Sequence, residues 1–234
     1  MTKTAICPQV KRDAFTLIEL LIVIVIMAIL ATMAVPVINK ALQSADNNRS
    51  AAFVQEVRSA CERFKDENNG EYPGQDDQGM LKGSPAGRYT GSQILAARLF
   101  GYLDSEINSV APKAKSKYIE YRLSLLIDKS NKGVAIPRNS LADASSTANA
   151  LLYFPSRLNE TTPTDCYKWT DSSEYVTRAG AQTVFNNECI ADKRFPAPDN
   201  ARNPGGILII GTGGNDMYLE SGSDNDDIRS WEAK

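Results

Sequence analysis

The chain has 234 residues with 26 basic and 28 acidic side chains, a net charge of −2 and no histidine. The lack of histidine excludes an imidazole general base and histidine-ligated zinc or haem, and the mildly acidic balance offers no clustered basic face for nucleic acid. One long apolar run near the start leaves the rest of the chain for a single domain large enough to have its own core.

Residues 1–14 form a short basic leader with Lys3, Lys11 and Arg12, ending at Ala14. Phe15 to Ile38 comes next, an apolar run whose one charge is Glu19. As a helix this run is roughly 36 Å long, enough to span a hydrocarbon core of roughly 30 Å. The positive flank orients the N-terminus toward the cytoplasm. A secretory signal peptide has a shorter apolar core and a small cleavage residue on its far side, whereas Ala14 precedes this run. A plain anchor accounts for the length and the flank but not for Glu19. A carboxylate this deep in an apolar helix costs on the order of 2.5 kcal/mol or more, and such a residue usually has a function and a partner. From these residues alone, a plain anchor and a device that uses Glu19 both stay open.

Apolar positions continue past Pro36 at Ile38, Ala41, Leu42, Ala45, Ala52, Phe53, Val57, Ala60, Cys61 and Phe64. Steps of three and four mark one helix face. The pattern predicts a single helix from Phe15 to about Asn68, roughly 80 Å long, with residues 39–69 as its amphipathic continuation. Pro36 removes a backbone donor and is expected to bend or loosen it. Asn68-Asn69-Gly70 supplies the stop, and Pro73 prevents resumption. Cys61 falls on the apolar stripe and is expected to be a buried, inert thiol. Such a helix suits either a stalk or the central bundle of a filament, and periodicity does not separate the two.

Residues 70–234 read as a globular domain. Ser92 to Leu103 is expected to be a short helix and Tyr118 to Ile127 a strand, turning at Lys129–Gly133 into Val134-Ala135-Ile136. Leu151–Pro155 and Ile207–Ile210 are apolar runs bounded by breakers and read as buried strands. Between them lies a polar stretch with Tyr167, Trp169, Tyr175 and Phe185. Cys7 belongs to the leader. Cys166 and Cys189 lie in an exported, loop-like segment where a bridge is expected; the alternative is two thiols in a reducing envelope.

The tail, residues 211–231, carries Asp216 in a glycine-rich stretch, then Asp224, Asp226 and Asp227 among Gly, Ser and Asn. These are hard oxygen ligands suited to Ca²⁺; the alternative is a solvated acidic tail. No EF-hand fits, because the chain ends before a twelfth-position glutamate, and no Lys-Ser/Thr comes after the glycines to make a phosphate cradle.

Ala14-Phe15-Thr16-Leu17-Ile18-Glu19-Leu20 resembles the class III signal of type IV prepilins and type II secretion pseudopilins: a basic leader, a cut before Phe, a Glu four residues on, and a Pro about 21 residues on. Phe15, Glu19 and Pro36 match these positions. The residue before the cut is normally Gly, and Ala14 stands there, so slower processing is expected. The resemblance implies a prepilin peptidase that cuts between Ala14 and Phe15 and methylates the new Phe15 amine. In a filament, Glu19 of one copy would pair with the Phe15 amine of its neighbour, relieving two poorly solvated charges.

A second stretch, Ala51–Ala60 and then Asn69-Gly70-Glu71-Tyr72-Pro73, is similar to the major, G-type pseudopilin of type II secretion, and Gln78-Gly79-Met80-Leu81 echoes the Gln-Gly-Leu of that family. The ending Asp226-Asp227-Ile228-Arg229-Ser230-Trp231 also resembles that family, whose C-terminal loop binds calcium. Position by position this assigns Asp216 and Asp226/Asp227, with Met217 where Gly is usual; Asp224 is added from spacing. The resemblance implies an α+β, pilin-like fold, a long half-transmembrane helix on a small antiparallel sheet, with residues 104–200 as an elaboration. It also implies a non-enzymatic subunit of the bacterial inner membrane, N-terminus cytoplasmic and domain periplasmic. Its partners would be copies of itself, other pseudopilins, the peptidase, and an inner-membrane platform with its ATPase. The alternative is a surface type IV pilin or minor pilin serving adhesion, motility or DNA uptake.

Overall fold

The computed structural model describes residues 16–75, 79–84, 87–127, 137–144, 149–195, 197–212, 218–219 and 228–230. The chain divides into two compact units, the first ending at Leu42 and the second starting at Gln43. Helix α1 runs Leu17–Glu67 and continues as helix through Pro36. In the first unit its side chains are exposed from Leu17 to Leu42.

In the second unit, α1 buries Ser50, Phe53, Val54, Val57, Ala60, Cys61 and Phe64. The buried stripe therefore begins at Ser50, later than the sequence spacing suggests, and Ala52 is exposed. The expected stop is realised: Asn69 and Gly70 adopt positive φ, and the Gly70 N–H donates to the Lys65 carbonyl at 3.0 Å. The turn beyond it is pinned from both sides. The Tyr72 hydroxyl donates to Glu62 of α1 at 2.8 Å, and the Tyr153 hydroxyl donates to the Pro73 carbonyl at 2.7 Å.

Helix α2 is Gly91–Phe100, opened by a Thr90–Gln93 capping box. A Cβ on Gly91 would lie 2.0 Å from the Tyr153 carbonyl oxygen, so only glycine lets this helix end approach the sheet. Gly101, at φ 71, caps the C-terminus and ends the helix before the expected Leu103, which is left exposed.

Strands β1 (Leu126–Ile127) and β2 (Ser140–Leu141) pair antiparallel. Strands β3 (Leu152–Pro155), β4 (Ile207–Gly211) and β5 (Ile228–Arg229) form an antiparallel sheet in the order β3-β4-β5. The architecture is α+β, a long apolar N-terminal helix with small antiparallel sheets.

Residues 118–125, expected to be strand, are bends and a helical turn at Leu123–Leu125. Their polar backbone groups are satisfied elsewhere. The Tyr118 N–H donates to the Leu99 carbonyl at 2.9 Å, and the Tyr118 carbonyl accepts from Arg63 at 2.6 Å. With these partners the segment needs no ladder, so Tyr118 and Ile119 both turn into the core. The expected turn at 129–133 and Val134–Ile136 lie outside the described residues.

Both faces of the β3-β4-β5 sheet are covered. Tyr153, Ile207 and Ile209 join α1 and α2 in one apolar cluster. Leu152, Phe154, Leu208 and Ile210 face a second cluster with Cys166, Tyr167, Tyr175, Phe185, Cys189 and Ile190. The elaboration between β3 and β4 thus contains short helices, α3 (Pro163–Cys166) and α4 (Ala181–Val184) with a wider turn at Phe185–Cys189, rather than open loop. An unbroken apolar sequence in β4 matches burial on two sides.

Cys166 and Cys189, expected to bridge, are both buried thiols of this second cluster, with no disulfide between them. Each acts as a small apolar side chain, and Cys166 is held through hydrogen bonds to the backbone of Gly205 and Arg157 and to Tyr167.

Candidate functional site

The start of α1 is built by a local rule. Thr16 is the N-cap and Glu19 the third helical residue, and each side chain satisfies the other's backbone. The Thr16 N–H and hydroxyl donate to Glu19 Oε2 at 2.9 and 2.7 Å, and the Glu19 N–H lies 3.3 Å from Thr16 Oγ1. The Glu19 carboxylate therefore has a partner within its own chain, which corrects the expectation that it is poorly partnered in a single copy. The Thr16-x-x-Glu19 spacing carried this signal; attention to the charge alone missed it. A carboxylate in a helix's first turn also meets the positive end of its dipole.

Ala14 and Phe15 lie outside the described residues. Downstream, the first unit presents Leu17, Ile18, Leu20 to Ile26, Ile29, Leu30, Met33, Val35 and Val37 as exposed large apolar groups. Pro36 sits within this stretch. Such a surface has no stable place in water, and α1 is long and apolar enough to cross a membrane once.

A second candidate lies at the end of the sheet. Gly211 of β4 pairs with Ile228 of β5, so strand pairing brackets the segment that carries Asp216, Asp224, Asp226 and Asp227. Those four aspartates lie outside the described residues. Among the described residues, no group of three or more His, Cys, Asp or Glu side chains forms a metal site. The donor set is hard oxygen from one acidic, glycine-containing segment with paired ends, which fits Ca²⁺.

Spacing did not reveal what fastens the two ends of that segment. Asp143, buried, accepts from the Thr212 N–H and hydroxyl at 3.3 and 3.2 Å. On the other side, Arg58 of α1 donates to the Ser230 carbonyl at 2.6 Å, and Ser230 Oγ accepts from the Ile209 N–H at 3.2 Å. These partners are far apart in sequence, so no local pattern names them.

Cys61 is fully buried and its thiol is pushed well above the ordinary range by desolvation, as expected for an inert core residue.

Comparison with curated proteins and with solved structures gives no match. The family of the prokaryotic N-terminal methylation motif matches residues 10–35, which take in Ala14, Phe15, Thr16 and Glu19. That motif is typical of type IV pilin-like proteins, pseudopilins among them, and indicates a protein of this kind.

Proposed function

We propose that the chain is a pseudopilin subunit that polymerises into a short periplasmic filament driving protein export by a type II secretion system. The observation that carries this reading is a methylation motif at the head of an apolar helix exposed from Leu17 to Leu42. The G-type character rests on the Gly-x-Tyr-Pro turn and the Asp-Asp-Ile-x-x-Trp ending.

The leader, residues 1–14, is removed at the cytoplasmic face of the inner membrane by a prepilin peptidase, which methylates the Phe15 amine. Glu19 then serves two partners: Thr16 of its own chain, and the Phe15 amine of a neighbouring copy. Because the capping box orders the carboxylate first, pairing between copies freezes little further side-chain freedom. An inner-membrane platform and its ATPase draw subunits from the bilayer, and the domain lies in the periplasm. Asp216, Asp224, Asp226 and Asp227 would hold Ca²⁺, which supplies the positive charge that lets four carboxylates share one segment. A type IV pilin or minor pilin is the second reading, favoured by the extra layer that covers the sheet's second face.

Terminal analysis of the mature protein tests the proposal: a methylated Phe15 is expected, and a mature chain beginning at Met1 would overturn it. Glu19→Ala should insert in the membrane normally yet assemble poorly. Added Ca²⁺ should raise the thermal midpoint, and an unchanged midpoint would remove the calcium assignment.

A further inference from the structure

We infer that Asn69 is a latent modification site: the folded turn after α1 closes it, and opening of that turn lets its side-chain amide convert to a carboxylate.

Asn69-Gly70 is the one Asn-Gly pair in the chain. In such a pair the glycine backbone nitrogen can attack Cγ of the asparagine, because the glycine has no side chain to hinder the approach. A new N–Cγ bond forms and the side-chain amide C–N bond breaks. The amide group takes the proton given up by the glycine nitrogen and leaves as ammonia. Solvent water then opens the cyclic imide at either carbonyl, giving aspartate or its isomer isoaspartate. Both residues are exposed, and nothing lies within 4 Å of where a Cβ on Gly70 would stand. Poor access therefore does not protect the pair.

Conformation does. Attack needs a glycine nitrogen free to lose its proton and an asparagine side chain free to swing over it. The Gly70 N–H already donates to the Lys65 carbonyl at 3.0 Å. Asn69 is fixed in the left-handed region at φ 55, and Gly70 at φ 82. Neighbours on both sides hold this geometry. Asn68 Nδ2 donates to the Phe64 carbonyl at 2.6 Å, and the Glu71 N–H donates to the Asn68 carbonyl at 3.0 Å. The Tyr72 N–H donates to Gln75 Oε1 at 2.8 Å, its hydroxyl is tied to Glu62, and the Lys65 amine lies 4.6 Å from the centre of its ring. Reaction at Asn69 thus waits for local opening at the end of α1, and its rate reports how often that end opens.

Neither product rebuilds the turn as it was. Isoaspartate routes the main chain through the side-chain carbon and lengthens the backbone, which removes the geometry that ends α1. Aspartate keeps the backbone but adds a negative charge near the negative end of the helix dipole, beside Asp66, Glu67 and Glu71. Each product loosens the Tyr72-Pro73 turn, which Glu62 and Tyr153 hold between α1 and the sheet. An opening that goes on to reaction therefore leaves a permanent change in how the end of α1 is held.

The test follows full-length protein in detergent at mildly alkaline pH, with mass mapping of the tryptic peptide Asp66–Lys82. Conversion at Asn69 should be at least about tenfold slower in the folded protein than in the same protein in denaturant. Tyr72→Phe removes the bond to Glu62. It should speed the folded reaction about fivefold and leave the denatured rate unchanged, with near-ultraviolet circular dichroism confirming that the variant is folded. Isoaspartate should appear among the products, and aspartate alone would overturn the imide route. Equal rates in the folded and denatured protein would overturn the closure of the site, and a folded Tyr72→Phe variant as slow as the parent would overturn the bracing by the Tyr72 turn.

Discussion

Replacing Asp171 with alanine should loosen the layer on the sheet's second face. Asp171 is fully buried, and Arg157 grips it bidentately, Nη1 to Oδ2 at 2.8 Å and Nη2 to Oδ1 at 2.9 Å. A third donor, the Gly83 N–H, reaches Oδ1 at 3.0 Å, so the pair ties the 79–84 loop to the elaboration as well. Burial works against the carboxylate and raises its pKa, although Arg157 and Gly83 favour the charged form. The intact pair therefore adds little net stability, yet losing one member strands the other. Asp171→Ala leaves a guanidinium 8% exposed without its counter-ion and an orphaned Gly83 N–H, a loss of about 3–5 kcal/mol. For a domain of this size that is a fall of roughly 6–20 °C in thermal midpoint. The assay is thermal unfolding of the full-length protein in detergent, monitored by near-ultraviolet circular dichroism. The double variant Arg157→Met/Asp171→Leu serves as the comparison, since an apolar pair of similar volume should recover most of the loss. A single variant within about 1 kcal/mol of the parent, or a double variant worse than the single, would refute the reasoning.

Three further outcomes are expected. Thr16→Ala should weaken the start of α1 by about 1 kcal/mol, seen as faster amide hydrogen exchange at Ile18 and Glu19 with no change near Phe64. Cys166, whose thiol burial pushes up to about 11, should resist alkylation at pH 8 along with Cys61 and Cys189 until denaturant is added, and reduction should leave the intact mass unchanged. Asp192 is held down to about 2, chiefly by hydrogen bonds from Arg194. Its contribution is thus present above the ordinary carboxylate range and lost as the pH falls toward about 2; carbon-detected NMR should show this, and Arg194→Gln should return the titration toward the usual value.

Much of the functional reading was legible because its determinants are local. Glu19 stands out as a charge in an apolar run, and the stop at Asn68-Asn69-Gly70 comes from backbone preferences that need no distant partner. Thr16 is equally legible, as the front half of the Thr16-x-x-Glu19 capping box. The calcium proposal draws Asp216, Asp226 and Asp227 from the resemblance of the C-terminal segment and Asp224 from spacing; the structure describes only the strand ends on either side, Gly211 and Ile228.

What the amino-acid sequence determined by itself was the apolar helix, its caps and breakers, and the apolar runs that became β3 and β4, since each depends on residues a turn or two apart. Tertiary structure decided the rest. Tyr118 to Leu125 has the composition of a strand, but Leu99 and Arg63 took its backbone bonds, and a segment satisfied that way has no need of a ladder. Cys166 and Cys189 share an apolar cluster as thiols because burial, not sequence spacing, fixed where their side chains point. Asp143 and Arg58 reach the ends of the acidic segment only after the sheet has formed. Contacts between residues far apart in the chain leave no periodic trace, which is why only the folded chain discloses them.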